Sequence, residues 1–503
     1  MIAAVSTLAD LTQTAGVVVA SLLAAAALLV SGDRARSAAM LGAIVLTPVL
    51  LVANIWSTPQ LAPLRERPVL ALAAAAGGLT VLGLGAVAFH RAPQLIALCA
   101  AATLPFRIPI ESGGDTANLL LPLYLVIAAG VLAYAIPRLR ATPGLDADER
   151  QGPSRGALEW LLAASIVLYA VQASYSSDFD RALSQVIFFY VPFALLFALL
   201  ARVDWTPRLA GQCLLVLLVL AVAFAGIGFV EYARRELLLN PKVISSNQFE
   251  SYFRVNSLFF DPNIYGRFLA MVMLGLAAVL LWSTRARTVT GCAAALVLLW
   301  AGLVLTLSQS SFTALLAGLA VLGALRWGAR RAAVVVAAFA LAGVVVVFAA
   351  PALVGVEGSA DNVTSGRSAL VTGGVDLARE RPLAGWGAGA FKAEYRRQEK
   401  ASGARASAAS HTIPVTVAVE QGLGGLALYL ALLVVAIGGL LRGTRDSLVR
   451  AAIAAAFVAL VVHTMLYAAF LEDPLAWALL AVGTALAPVP RRRERAEPVP
   501  ATP

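Results

Sequence analysis

The sequence predicts an all-α polytopic transmembrane helical bundle of about 13 to 15 spans with one long outer-face loop. Three observations predict it. Sixty per cent of the 503 residues are apolar, only 13% are charged, and the mean hydropathy is +0.83; soluble chains average about 25% charged residues. Apolar stretches recur from end to end, such as Gly16 to Val30, Val69 to Phe89, Cys213 to Val230 and Ala332 to Ala350. About 20 such residues cross a bilayer core as a helix. None alternates apolar and polar residues with period two, which tells against a membrane β-barrel.

The first apolar segment reads as a retained helix, because Met1 to Gln13 holds no Lys or Arg and so lacks the basic leader of a cleaved signal peptide. Further on, Gln94 to Pro105 is short enough to be re-entrant. The net charge of +10 would suggest nucleic acid in a soluble protein. Here the basic residues punctuate the helix ends, as cytoplasmic loops require. Arg285 with Arg287, Arg326 to Arg331, Arg442 to Arg450 and the tail Arg491-Arg-Arg-Glu-Arg495 are therefore expected in the cytoplasm.

Alternation of spans then sends Glu231 to Asp261 and Gly355 to about Ser410 to the outer face. The resulting organisation has five parts: N-terminal helices over 1–230, central helices over 231–353 with an outer segment at 231–261, a long outer loop over 354–411, C-terminal helices over 412–490, and a basic cytoplasmic tail over 491–503. Within the long loop, Ser368 to Arg379 has helical apolar spacing and Pro382 stops it. Gly385, Gly387 and Gly389 make a flexible turn region, and Ala393 to Arg405 reads as a polar helix in the interface plane. Cys99, Cys213 and Cys292 lie far apart in apolar segments, which implies neither a disulfide frame nor a zinc site.

Ionisable residues at a membrane face are costly unless paired, so they mark candidate sites. Three clusters fall on the expected outer face. The first is Phe253-Arg254-Val255-Asn256-Ser257, continuing through Phe260-Asp261-Pro262-Asn263. Asp261 suits a helix cap and Pro262 a first turn, so a capped helix start with a solvated Arg is the plainer reading of this cluster. The second joins Ser365-Gly366-Arg367 to Arg381-Pro382-Leu383, and the third joins Ser410-His411-Thr412 to Glu420-Gln421-Gly422. A lone His is more often structural than catalytic, but three arginines on the same expected face favour function for His411.

His463, late in the run Ala451 to Phe470 with Glu472 and Asp473 beyond it, reads first as a buried structural hydrogen bond, and second as a border of the same cavity. The pairs Asp146-Ala-Asp148 and Asp178-Phe-Asp180 have the Asp-x-Asp spacing that holds a divalent metal in many glycosyltransferases. The first reads as a solvated loop and the second as a helix cap. No metal and no cofactor is expected.

The order of these motifs resembles the O-antigen ligase and polymerase family. Arg254 comes first with Asp261-Pro262-Asn263, then Ser308-Gln-Ser-Ser311 opening a helix, then Ser365-Gly366-Arg367. Arg381-Pro382-Leu383-Ala-Gly385-Trp-Gly387-Ala-Gly389-Ala-Phe391 follows, and His411 with Glu420-Gln421-Gly422 completes the set. The likeness spans roughly Phe253 to Asp473. Gln309 and Thr412 depart from it, standing where the family often has Arg and Asn.

The resemblance implies a membrane glycosyltransferase of the cytoplasmic (inner) membrane with its active site on the outer face. It would move a glycan from a polyprenyl-pyrophosphate donor to an acceptor hydroxyl on a glycan, lipid or protein. Arg254, Arg367 and Arg381 would bind the pyrophosphate, because guanidinium groups grip phosphate bidentately and stay charged. His411 would act as general base, and Glu420 would orient its imidazole or cap a helix. Direct displacement would invert the anomeric centre without a metal. Polymerisation of repeat units is the nearest alternative. A small-solute or lipid-carrier transporter is the rival from another class, but it lacks support from inverted repeats or broken midplane helices.

Overall fold

The computed structural model describes residues 2–56, 62–112, 115–141, 156–238, 253–335, 337–338, 367–399, 412–467 and 469–487. These residues form a helical bundle. Among them, ten helices are long and apolar enough to cross a membrane, and four apolar helices are shorter.

In chain order the first helices are α1 (Ile2–Leu29), α2 (Asp33–Ile55), the single turn α3 (Ala62–Glu66), α4 (Pro68–Arg91) and α5 (Gln94–Thr103). A hairpin of β1 (Ile108–Ser112) and β2 (Asp115–Leu119) leads into α6 (Leu121–Arg140) and α7 (Ala157–Ala173). Next come α8 (Phe179–Gln185), a π-helical turn (Val186–Tyr190), α9 (Val191–Leu200) and α10 (Pro207–Arg234). The second half holds α11 (Pro262–Trp282), α12 (Ala286–Thr306), α13 (Gln309–Trp327), α14 (Arg367–Glu380) and α15 (Phe391–Glu399). It ends with α16 (Ile413–Leu441), α17 (Leu448–Thr464) and α18 (Pro474–Ala485).

The all-α expectation holds, with the antiparallel hairpin as an addition. Its register pairs Ser112 with Asp115, and Gly113-Gly114 between them is a two-residue hairpin signal. The ten-residue α5 just before it matches the short stretch foreseen there. Other local signals also hold. Asp261 caps α11 with Pro262 in the first turn, Ser308 caps α13, and Asp178 caps α8 rather than standing as a bare half of an acidic pair. α14 takes the place of the helix expected over Ser368 to Arg379, burying Leu370 and Leu377. α15 starts the polar helix expected from Ala393; its continuation to Arg405, the basic tail, Asp146-Ala-Asp148 and most of Ala332 to Ala350 lie outside the described residues.

One end of the bundle gathers arginines onto helix C-termini, whose last carbonyls have no partner inside the helix. Arg326 Nε donates to Leu281 O at 3.2 Å, near the end of α11. Arg450, though buried, donates to Arg442 O at 2.8 Å, Gly439 O at 3.1 Å and Gly483 O at 3.1 Å, tying the start of α17 to the ends of α16 and α18. Arg138 pairs with Asp33 at 3.4 Å and closes the α1–α2 corner against the end of α6. Positive charge there also complements the negative end of each helix dipole.

At the opposite end the N-termini of α11, α13, α16 and α18 converge. The charge rule predicts an outward orientation for this end. Cysteines introduced within 355–410 are therefore expected to react with a membrane-impermeant thiol reagent added to intact cells, while one at Arg445 is not. Labelling of the Arg445 position alone would reverse the orientation.

Lipid tails are as apolar as leucine, so helices here associate through close packing of small residues. Gly302 of α12 lies against Ala225 of α10 and Tyr265 of α11, and Gly130 of α6 lies against Leu199 of α9. One aromatic knot, Phe224, Phe259, Tyr265 and Phe268, cements α10 to α11. Among the described spans the segment from α8 through α9 is the most enclosed: every residue of Val191–Leu200 is buried, whereas the span Pro68–Arg91 is exposed along most of its length.

Candidate active site

Arg254 is placed by the backbone before it is placed by any partner. Glu231, fully buried near the end of α10, accepts Ser257 N–H at 2.8 Å and Leu238 N–H at 3.1 Å. Its carboxylate thus fastens the segment that carries Arg254. Ser257, at φ +50°, donates its hydroxyl to Phe224 O at 2.9 Å, and Val255 N–H reaches Leu305 O at 3.2 Å. The Arg254 side chain then donates from Nε to Thr306 O at 3.0 Å and from Nη2 to Asn263 Oδ1 at 3.3 Å. A guanidinium is therefore fixed where α11 begins and α12 ends, and it is not merely solvated.

Around Asn263 the polar contacts continue inward. Ser308 Oγ donates to Asn263 Oδ1 at 2.8 Å and lies 2.8 Å from Ser311 Oγ and 3.2 Å from Ser310 Oγ. His463 Nε2 lies 3.2 Å from Ser310 Oγ and 3.4 Å from Ser311 Oγ. The buried structural bond expected for His463 is present, and it leads directly to the arginine. Gly266 makes the close approach possible: a Cβ there would stand 2.7 Å from Ser311 Oγ.

Asp261 caps Asn263 N–H at 2.6 Å and accepts the Tyr467 hydroxyl at 2.9 Å. Burial, and then the Asp261 charge, hold the Tyr467 phenol well above its ordinary pKa, so it stays a donor. One helical turn below Asn263, Arg267 forms an ion pair with Asp473, both side chains nearly sealed from solvent. Asp473 also caps α18 through Leu475 N–H at 2.9 Å. Arg107, following α5, lies in the electrostatic reach of this pair.

The neighbouring Glu472 accepts a bond from Gln185, which is in turn bonded to Tyr169. Burial raises the Glu472 carboxyl pKa, and the Arg181 charge opposes that rise. A cavity of about 60 Å³ is lined by Glu420, Glu472, Tyr169, Tyr190 and Thr416.

Glu420 joins this region to the glycine segment. α16 is kinked at Gly422 (φ +66°, ψ −169°), which frees backbone groups for pairing. Trp386 N–H donates to Val419 O at 2.9 Å, Gly387 N–H to Glu420 O at 3.0 Å, and Leu423 N–H to Pro382 O at 2.8 Å. The Glu420 carboxylate accepts Phe391 N–H at 3.3 Å, capping α15 from another helix. Among the described residues the Glu420 carboxylate therefore caps a helix, and that helix is not its own. Ser176 Oγ and Tyr175 Oη donate to Ala388 O at 2.6 Å and Ala384 O at 2.8 Å, pinning the other side of the segment. Arg381 stacks 4.0 Å above the Trp386 ring at the exposed rim.

Of the five site residues expected from sequence, the structure packs Glu420 of α16 against the segment that carries Arg381, with Arg254 at the same end of the bundle. Arg367 opens α14. His411 lies outside the described residues; Thr412, next in sequence, donates to Met465 O at 3.1 Å, two residues from Tyr467. Sequence reasoning missed Arg107, Arg181, Glu231 and Arg267. Arg267 and Glu231 carry a usable signal, since each is a charge within an apolar helix.

Residues 294–430 match the O-antigen ligase family. By this segment the chain is similar to the O-antigen ligase family. The matched segment contains Ser308 to Ser311, Arg367, Arg381, the glycines, His411 and Glu420, whereas Arg254, Asp261 and His463 stand outside it. No curated protein and no solved structure matches the chain. With its many apolar helices the chain is a multi-pass membrane protein, and the matched segment supports glycosyltransferase activity of the ligase or polymerase type.

Proposed function

We propose that this protein transfers a glycan from a polyprenyl-pyrophosphate donor to an acceptor hydroxyl at the outer face of the cytoplasmic membrane. The observation that carries this reading is Arg254, a guanidinium held by Thr306 and Asn263 among converging helix N-termini. Such ends favour anions, and arginine binds phosphate oxygens through a planar fork. Arg254, Arg367 and Arg381 take the pyrophosphate and stabilise the charge it gains as the glycosidic bond breaks. The acceptor oxygen forms the new bond to the anomeric carbon, its proton passes to His411, and polyprenyl pyrophosphate leaves. A single displacement inverts the anomeric configuration. Glu420 holds the glycine segment that carries Arg381.

Transfer of a polyprenyl-pyrophosphate glycan by the purified protein in nanodiscs tests the reading, with donor binding measured in parallel. Absence of donor binding by the wild type would favour a transporter. Arginines supply the positive charge that a metal supplies in other transferases, and Asp178 is committed to capping Arg181 N–H at 3.2 Å. Transfer is therefore expected to continue in excess EDTA and in the Asp178→Ala/Asp180→Ala variant. Activity lost to EDTA and restored by magnesium or manganese would overturn metal independence.

A further inference from the structure

The column from His463 to Arg254 can be resolved proton by proton. Arginine only donates, so the atom of Asn263 facing Arg254 Nη2 is the carbonyl Oδ1. Ser308 also contacts Oδ1, at 2.8 Å, so its single hydroxyl proton is spent there. Towards Ser310 at 3.2 Å and Ser311 at 2.8 Å, Ser308 Oγ is then an acceptor. The arrangement that places a proton in each of these contacts points both hydroxyls at Ser308, which also accepts Ser311 N–H at 3.3 Å, with Asn263 O as a second acceptor for Ser311 at 3.2 Å. Neither proton remains for His463 Nε2, which faces both oxygens at 3.2 and 3.4 Å. All three serines and His463 are sealed from solvent. A bare Nε2 would claim a serine proton and set lone pair against lone pair elsewhere in the column, and buried polar groups rarely tolerate such a mismatch.

We propose that His463 is a positioning residue for donor recognition: as a hydrogen-bond donor at Nε2 it fixes the direction of the serine hydroxyls, keeps Asn263 Oδ1 turned towards Arg254, and so aims that guanidinium at the donor's phosphate. This rests on Arg254 being a pyrophosphate ligand. α17 acquires a part in binding although His463 touches no substrate. Gln, whose amide nitrogen reaches about as far as Nε2 and always donates, can replace it; Leu fills the space but cannot donate.

The tautomer is read directly by ¹⁵N NMR of the full-length protein in nanodiscs with labelled histidine, the His463 signal being assigned by its loss in His463→Gln. A protonated Nε2 is expected, and a bare Nε2 bonded to a serine proton overturns the proposal whatever the activity. In parallel, binding of polyprenyl pyrophosphate is expected to weaken about tenfold or more in His463→Leu and to recover in His463→Gln. KM for the donor should move further than kcat. A folded His463→Leu protein with wild-type donor affinity would also overturn it. If Arg254→Ala leaves donor affinity unchanged, the ligand assignment of Arg254 fails instead, and the tautomer still decides the column.

Discussion

Arg254→Lys is expected to abolish donor binding and transfer together, whereas His411→Ala is expected to bind donor normally and lose transfer alone. Lysine keeps the charge but cannot reach both Thr306 O and Asn263 Oδ1 while presenting a flat edge to phosphate. Arg367→Lys should fail in the same way. For His411 the loss should be about 10²- to 10⁴-fold in kcat, the usual contribution of general-base catalysis. Purified variants in nanodiscs, assayed for donor affinity and for single-turnover transfer, separate the two phenotypes. A His411→Ala protein running near the wild-type rate would remove that residue from the chemistry and leave the arginines in place.

Gly387→Ala is expected to be among the most damaging single-methyl changes in the chain. Gly387 sits at φ +98°, and a Cβ there would run into the backbone of Ser176. The dihedral alone costs about 1–2 kcal/mol for an alanine, and overpacking adds typically about 1–3 kcal/mol. Gly422→Ala should behave alike, since its Cβ would meet the Leu383 carbonyl. Gly424, two residues on, is the control, because a Cβ there would meet nothing within 4 Å. Its replacement by alanine in α16 should be neutral or slightly stabilising. Thermal unfolding in detergent ranks the three, and equal melting temperatures would mean that the segment does not pack as described. Because the segment carries Arg381, surviving Gly387→Ala protein should also bind donor poorly.

Much of this was legible from local pattern. Asp261 before Pro262, Ser308 three residues before Ser311, and Pro382 after an amphipathic turn each act within one helical turn, so a sequence window contains both partners. The apolar stretches were equally plain, because crossing a bilayer demands length and composition from each helix separately. What was hidden is long-range. Arg267 finds Asp473, Gln185 finds Glu472, and Arg254 finds Thr306 only through the order in which helices pack. His463 shows the boundary well: its burial was foreseeable, but its serine partners are 152 and 153 positions away. The sequence leaves the Glu420 carboxylate between two roles for the same reason, since its partner Phe391 belongs to a helix whose approach no local spacing reveals.

The enclosure of α9 bears on biogenesis. Phe179–Leu200 and Pro68–Arg91 have nearly equal hydropathy, 2.2 and 2.0, yet one ends up enclosed by other helices and the other largely exposed. At the moment of insertion both meet the same hydrocarbon, and both are apolar enough to enter it unaided. Part of the wrapping around α9 comes from α18, which packs against it and is translated almost 300 residues later. Until α18 arrives, the side of α9 that it covers must wait as a lipid-facing surface, while α1 and α6 already pack against the rest. A ribosome that stops before Pro474 therefore leaves a chain fully threaded through the membrane yet unfinished at its middle, the kind of intermediate that membrane quality control is positioned to remove.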